Sequence, residues 1–128
     1  MNKIALVTGA SSGIGAMIAK ELARNGYTVY AAVRRLDKMN EWKNNGIRPI
    51  FLDLTNEDSM VQCVQSILNE AGRIDVLINN AGYGSYGAIE DVLMEEARRQ
   101  FDVNLFGMAR LIQLVTPTMR ENHNGKIV

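Results

Sequence analysis

A chain of 128 residues, 47% of them hydrophobic, is long enough for one domain with a packed core. Its 14 basic and 14 acidic side chains cancel and form no block of like charge, so neither nucleic acid nor a membrane surface is an expected partner. One cysteine excludes an intrachain disulfide and fits a reducing, cytoplasmic setting, while one histidine, His123, excludes a histidine-rich metal site or a histidine-based triad.

Met1-Asn2-Lys3 leads straight into the first strand, so no signal peptide is expected, and no apolar run reaches the ~18 residues of a membrane span. Ile4-Ala5-Leu6-Val7 is an unbroken apolar run and reads as a strand buried on both faces, because a half-exposed strand would alternate. Thr8-Gly9-Ala10-Ser11-Ser12-Gly13-Ile14-Gly15 then forms a loop of small residues, and a helix from about Gly13 to Asn25 carries Ile14, Met17, Ile18 and Leu22. The glycines permit a tight turn and leave no Cβ in a ligand's way. The N–H groups and positive dipole end of the helix make a phosphate site, with the Ser11 and Ser12 hydroxyls as further donors. A strand, a glycine loop and a helix in that order open a dinucleotide-binding fold.

Gly26 stops the first helix, and Tyr27 to Val33 is a second strand ending at Arg34-Arg35. Asp37 can cap a short helix through Asn45, with Gly46 at its end. Ile50-Phe51-Leu52 reads as a third strand closed by Asp53. Thr55 or Asn56 caps the next helix, which carries Met60, Val61, Val64, Ile67 and Leu68 on one face and ends at Gly72. Cys63 lies on that stripe as a small core residue. Ile74 to Ile78 is the fourth strand, Asn79-Asn80-Ala81-Gly82 the loop after it, and Tyr83 to Gly87 a flexible connection. A long helix from about Met94 to Glu121 follows, and Gly125 to Val128 begins a fifth strand.

This alternation predicts an α/β fold: a Rossmann-type, doubly wound parallel sheet in one domain over 1–128, with five strands present of an expected six or seven. The long helix is apolar on more than one side. Phe101 and Met108 are expected to face the sheet and Leu111, Leu114 and Val115 to face outward, so the excess predicts a second buried contact. Gly107 reads as a close-packing residue, and Pro117 is expected to kink or loosen the last turns.

On these motifs the chain resembles the short-chain dehydrogenase/reductase family along its whole length. Thr8 to Gly15 matches that family's glycine motif, with its G-x-x-x-G-x-G spacing, and Asn79-Asn80-Ala81-Gly82 matches its second motif. Asp53 matches the acid that contacts the adenine ring, and Asn104 the helix asparagine of the catalytic tetrad. The resemblance implies a cofactor site made by Gly9, Ser11, Ser12, Gly13, Ile14, Gly15, Arg34, Arg35, Asp53, Leu54, Asn80, Ala81 and Gly82. It assigns Asn104 a local helix bend and a water on a proton relay; a plain core hydrogen bond is the other reading. Asp53 could also cap a turn or the next helix. Asn79 and Asn80 can tie strand ends together, Asn79 in a purely structural role.

Cofactor choice rests on the end of the second strand. A carboxylate there would bind the ribose 2′-hydroxyl of NAD, whereas Arg34 and Arg35 suit a 2′-phosphate, so NADP(H) is favoured over NAD(H). The family's serine and Tyr-x-x-x-Lys, whose tyrosine transfers the proton, are not found. Tyr27, Tyr30, Tyr83 and Tyr86 are followed at the fourth position by Ala31, Arg34, Gly87 and Glu90. The chain is therefore expected to be the N-terminal part of a longer enzyme and inactive alone. The implied activity is hydride transfer between nicotinamide and a small alcohol or carbonyl substrate, in a homo-oligomer formed through the helix 94–121. The competing reading is a dinucleotide-binding regulator without redox chemistry; a P-loop nucleotidase is excluded because no G-x-x-x-x-G-K-[S/T] occurs.

Overall fold

The computed structural model describes residues 2–37 and 45–128. β1 (Ile4–Thr8) leads into α1 (Gly13–Arg24), followed by β2 (Thr28–Val33) and β3 (Ile47–Phe51). α2 (Glu57–Ala71) and β4 (Val76–Ile78) come next. A continuous helical rod is then built from α3 (Met94–Phe101), a π-helical segment (Asp102–Gly107) and α4 (Met108–Glu121), and β5 (Lys126–Ile127) follows. All strand pairs are parallel, in the order β3-β2-β1-β4-β5. The helix expected between Asp37 and Asn45 falls largely on residues 38–44, outside the described residues.

The unbroken apolar run of β1 is explained by two cores. Ile4 and Leu6 join one cluster with Met60, Ile67, Leu111 and Val115, beneath α2 and α4. Ala5 and Val7 join a second with Ala19 of α1 and Val29 of β2. Each strand face is covered, so both sets of alternating positions are apolar from Ile4 to Val7, and the polar Thr8 comes only at the strand end. Cys63 sits in the first cluster, where burial pushes its thiol up to about 12 and leaves it a packing residue. The helix stops follow the sequence expectations. Gly26 and Gly72 take positive φ after α1 and α2, and the Asn56 side chain accepts the Ser59 N–H at 2.8 Å to cap α2.

Two expectations are corrected. The third strand starts at Ile47 rather than Ile50 and includes Pro49, which pairs in register with Ala31. β3 is an edge strand, where a residue without an N–H is tolerated. The long helix is also turned relative to its predicted stripe. Leu111 and Val115 are fully buried and Leu114 packs against the core, whereas Phe101 and Phe106 are 58% and 61% exposed and Met108 is half-buried. An α-helix advances about 100° per residue and a π turn less, so the segment 102–107 delays the pattern by roughly a third of a turn. A constant period carried from Phe101 to Val115 therefore assigns the wrong face. Gly107 behaves as expected: a Cβ there would collide with the Leu54 carbonyl oxygen. α4 continues through Pro117 to Glu121.

At the N-terminal edge of the sheet, three strands are tied by one side chain. Asp75, 1% exposed, accepts the Ile4 N–H at 2.8 Å, Arg73 Nε at 2.8 Å and Asn124 Nδ2 at 2.9 Å. Its main chain bonds Ile4 O and the Lys126 N–H. Burial works to raise its carboxyl, but the bonds from Arg73, Ile4 and Asn124 outweigh it and the acid is held below the ordinary aspartate value. A depressed carboxyl stabilises the fold above its unfolded value, about 3.9, and that contribution fades as pH falls through the folded value. Asp75→Asn in the whole protein should cost about 2 kcal/mol at pH 7. Chemical denaturation from pH 7 to pH 3 should show the gap from wild type closing below about pH 4; a gap independent of pH would contradict the role of the charge.

Candidate functional site

The strand order reverses at β1, with β2 on one side and β4 on the other, and a cleft of about 760 Å³ opens at the C-terminal ends of these strands. It is lined from β1 and its loop by Thr8, Gly9, Ser11, Ser12 and Ile14. Arg34 and Arg35 line it after β2, Leu52, Asp53 and Leu54 after β3, and Asn80 to Tyr83 after β4. Val103, from the π segment, forms part of the wall.

The cleft depends on how closely the β1 and β4 loops approach. Asn80 Nδ2 donates to the carbonyls of Thr8 at 3.2 Å and Gly9 at 3.1 Å. Thr8 Oγ1 accepts the N–H groups of Asn80 at 3.0 Å and Ala81 at 2.9 Å, and donates to Ile78 O. Asn80 thus does what the sequence divides between two asparagines, while Asn79 joins the next strand through its main chain, donating to Val128 O. Gly9, at φ +61°, leaves a Cβ position 2.9 Å from Ala81 Cα, and a Cβ on Gly15 would strike Gly9 O and Asn80 Nδ2. These two glycines are needed for close approach.

Gly13 differs. It needs a positive φ, +58°, yet the space beside it is open. Ser12 caps α1 from an extended conformation without using its side chain, and the first intrahelical bond is Ala16 N–H to Ser12 O. The N–H groups of the first turn are thus free for an anion, with the positive end of the helix dipole behind them.

Asp53 carries two bonds on Oδ1, from the Thr55 N–H at 2.9 Å and the Thr55 hydroxyl at 2.7 Å. The hydroxyl bond first, then the main-chain bond, hold its carboxyl below the ordinary value. Asp53 is therefore ionised and already bends the turn with one oxygen, leaving Oδ2 without a hydrogen bond among the described residues. Arg34 is close enough to act on that carboxylate. Neither Arg34 nor Arg35 forms an ion pair among the described residues, and both are exposed at the cleft rim.

Asn104 lies in the π segment. Its Oδ1 accepts the Tyr83 N–H at 3.0 Å, and its Nδ2 donates to Tyr83 O at 2.7 Å, so one side-chain amide pairs with one peptide. Gly82 must stay small beneath it, since a Cβ would lie 3.1 Å from Asn104 Oδ1. The helix side chain thereby fixes the loop after β4.

Residues 3–128 match the short chain dehydrogenase family. The chain belongs to this family. As a short-chain dehydrogenase it is 42% identical over 127 residues to 3-ketodihydrosphingosine reductase of Bacteroides thetaiotaomicron, covering 98% of this chain and 45% of that protein. It superimposes with a TM-score of 0.92 on a short-chain dehydrogenase from Streptomyces avermitilis, at 36% identity, covering 98% of this chain and 47% of the other. A metagenomic short-chain oxidoreductase in complex with NADP gives the same TM-score at 31% identity, covering 98% and 60%. The chain spans about half the length of the curated relatives it matches.

The residues present suit a nicotinamide dinucleotide: a cleft of the usual ligand size, uncapped helix donors, an open glycine and a cationic rim. Every residue assigned to the cofactor from the sequence lines this cleft except Gly13 and Gly15, which shape its loop. Thr8, Tyr83 and Val103 were not among the assigned site residues. The hydroxyl of Thr8 at a buried strand end was a readable signal; the placement of Val103 depends on the π segment.

The two glycine types should separate by experiment. Gly15→Ala should fail to hold the loop and lower the unfolding midpoint sharply. Gly13→Ala should cost only about 1–2 kcal/mol of stability through its left-handed φ, but weaken dinucleotide binding out of proportion, because its methyl group enters the space beside the helix donors. Thermal unfolding and dinucleotide titration of both variants check this; equal affinity losses at equal stability would contradict it.

Proposed function

We propose that the protein is an NADP(H)-dependent oxidoreductase acting on a small alcohol or carbonyl compound. The observation that supports the cofactor choice is the end of β2, where the strand is followed by Arg34 and Arg35, both lining the cleft, rather than by an acidic residue. When bound, the nicotinamide supplies or accepts the hydride; this chain's residues bind and orient. The first turn of α1, with Ser11 and Ser12, holds the diphosphate. Arg34 takes the 2′-phosphate, Asp53 and Leu54 the adenine, and Asn80, Ala81 and Gly82 the far ribose. Asn104 is assigned a positioning role: it fixes Tyr83 and sets the π segment, where the helix is widened to hold a water for proton transfer. The proton donor itself belongs to the family's Tyr-x-x-x-Lys, which these residues do not contain, so residues 1–128 alone are proposed to bind cofactor without turnover. Cytoplasmic action is part of the same reading, supported by the single buried thiol.

Opposite unit charges ~4 Å apart attract by about 4 kcal/mol at an effective dielectric near 20, before screening. Arg34→Glu in the whole protein should therefore weaken NADPH binding by roughly one to three orders of magnitude and NADH binding far less. Fluorescence titration with both cofactors decides it, and an equal loss for both would contradict the assignment.

Homo-oligomer formation through the long helix is also proposed, on a different face from the one the sequence pattern favours. Phe101, Leu105 and Phe106 are exposed on this rod, beside Leu93 and Met94 at its start. A two-fold interface would bring this apolar patch against its own copy. Phe106→Arg should shift sedimentation of the whole protein toward monomer with far-ultraviolet circular dichroism unchanged; an unaltered oligomer would place the interface elsewhere.

A further inference from the structure

The hydroxyl of Tyr83 is buried and has no hydrogen-bond partner among the described residues. Such a group lowers stability, because it has given up water and received nothing in return. Its main chain is the opposite case: the Tyr83 N–H and C=O are both held by Asn104. The backbone is thus anchored, while the ring retains the two torsions that can re-aim its hydroxyl.

Tyr83 also lines the cleft, after β4. Across the sheet, the C-terminal ends run from Leu52–Leu54 after β3, through Arg34 after β2 and Gly13 after β1, to Tyr83 after β4. A dinucleotide with its 2′-phosphate at Arg34 and its diphosphate at the first turn of α1 carries its second half over β4. That half offers ribose hydroxyls and a carboxamide, each able to donate and accept, and a phenol can do both.

We propose that Tyr83 is a ligand-coupled rotor, packed inward without a partner in the ligand-free protein and turned into the cleft to hydrogen-bond the nicotinamide half of the bound dinucleotide. The inference rests on the dinucleotide reading above and extends it to a residue outside the glycine and Asn-Asn-Ala-Gly motifs. It predicts effects of opposite sign from the loss of one oxygen atom. Removing the hydroxyl relieves the ligand-free state and deprives the bound state.

The test is Tyr83→Phe in the whole protein, with thermal unfolding measured without ligand. Binding of NADPH and of its adenosine half, adenosine 2′,5′-bisphosphate, is measured by calorimetry. The ligand-free unfolding midpoint should rise by about 2–4 °C. The NADPH dissociation constant should rise about 5- to 15-fold, with adenosine 2′,5′-bisphosphate affinity unchanged. Wild type binding both nucleotides while the variant binds NADPH equally well would overturn the rotor alone. A lowered midpoint would also overturn it, by showing that the hydroxyl has a partner within the protein. A wild type that binds neither nucleotide would overturn the dinucleotide reading and the rotor together.

Discussion

The site depends on the closeness of two loops. The turn after β1 and the turn after β4 are drawn together until Gly9 nearly touches Ala81 and Gly15 leaves no room for a methyl group. Asn80 and the Thr8 hydroxyl make that approach tolerable, since between them they satisfy main-chain groups that the short strand ends leave unpaired. With the loops held, the first turn of α1 points its free donors across the cleft. Gly13 then presents open space where Gly9 and Gly15 present none.

The two edges of the sheet divide the labour. At the N-terminal edge Asp75 gathers β1, β4 and the approach to β5 through bonds that are wholly internal, and its carboxylate is nearly inaccessible. At the C-terminal edge, charges and donors are left open: Arg34 and Arg35 at the rim, one oxygen of Asp53, and the uncapped helix end. Satisfied polar groups rigidify, and open ones select ligands. Asn104 belongs to both kinds, because both ends of its amide are engaged yet what they engage is the loop that faces the cleft.

Much of this was legible in the residues. The strand, glycine loop and helix of the first twenty-odd positions, the Asn56 cap and the stops at Gly26 and Gly72 are local features, set by φ and capping chemistry within a few residues. What was not legible depends on distant partners. Pro49 hides the first half of β3 until the strand is known to lie at an edge. The π segment shifts the outer face of the long helix away from Leu111 and Val115, and no uniform period reveals that. Asp75 sits inside an apolar run with nothing nearby to announce three partners, one of them forty-nine positions away.

The chain belongs to the short-chain dehydrogenase family, and the arginines after β2 carry its proposed cofactor choice. The most direct test is a crystal structure of the whole protein with NADPH. The diphosphate should rest on the N–H groups at the start of α1, with the 2′-phosphate within hydrogen-bond distance of the Arg34 guanidinium. A dinucleotide bound in the cleft with its 2′-phosphate turned away from Arg34, or bound away from the first turn of α1, would contradict the proposed site.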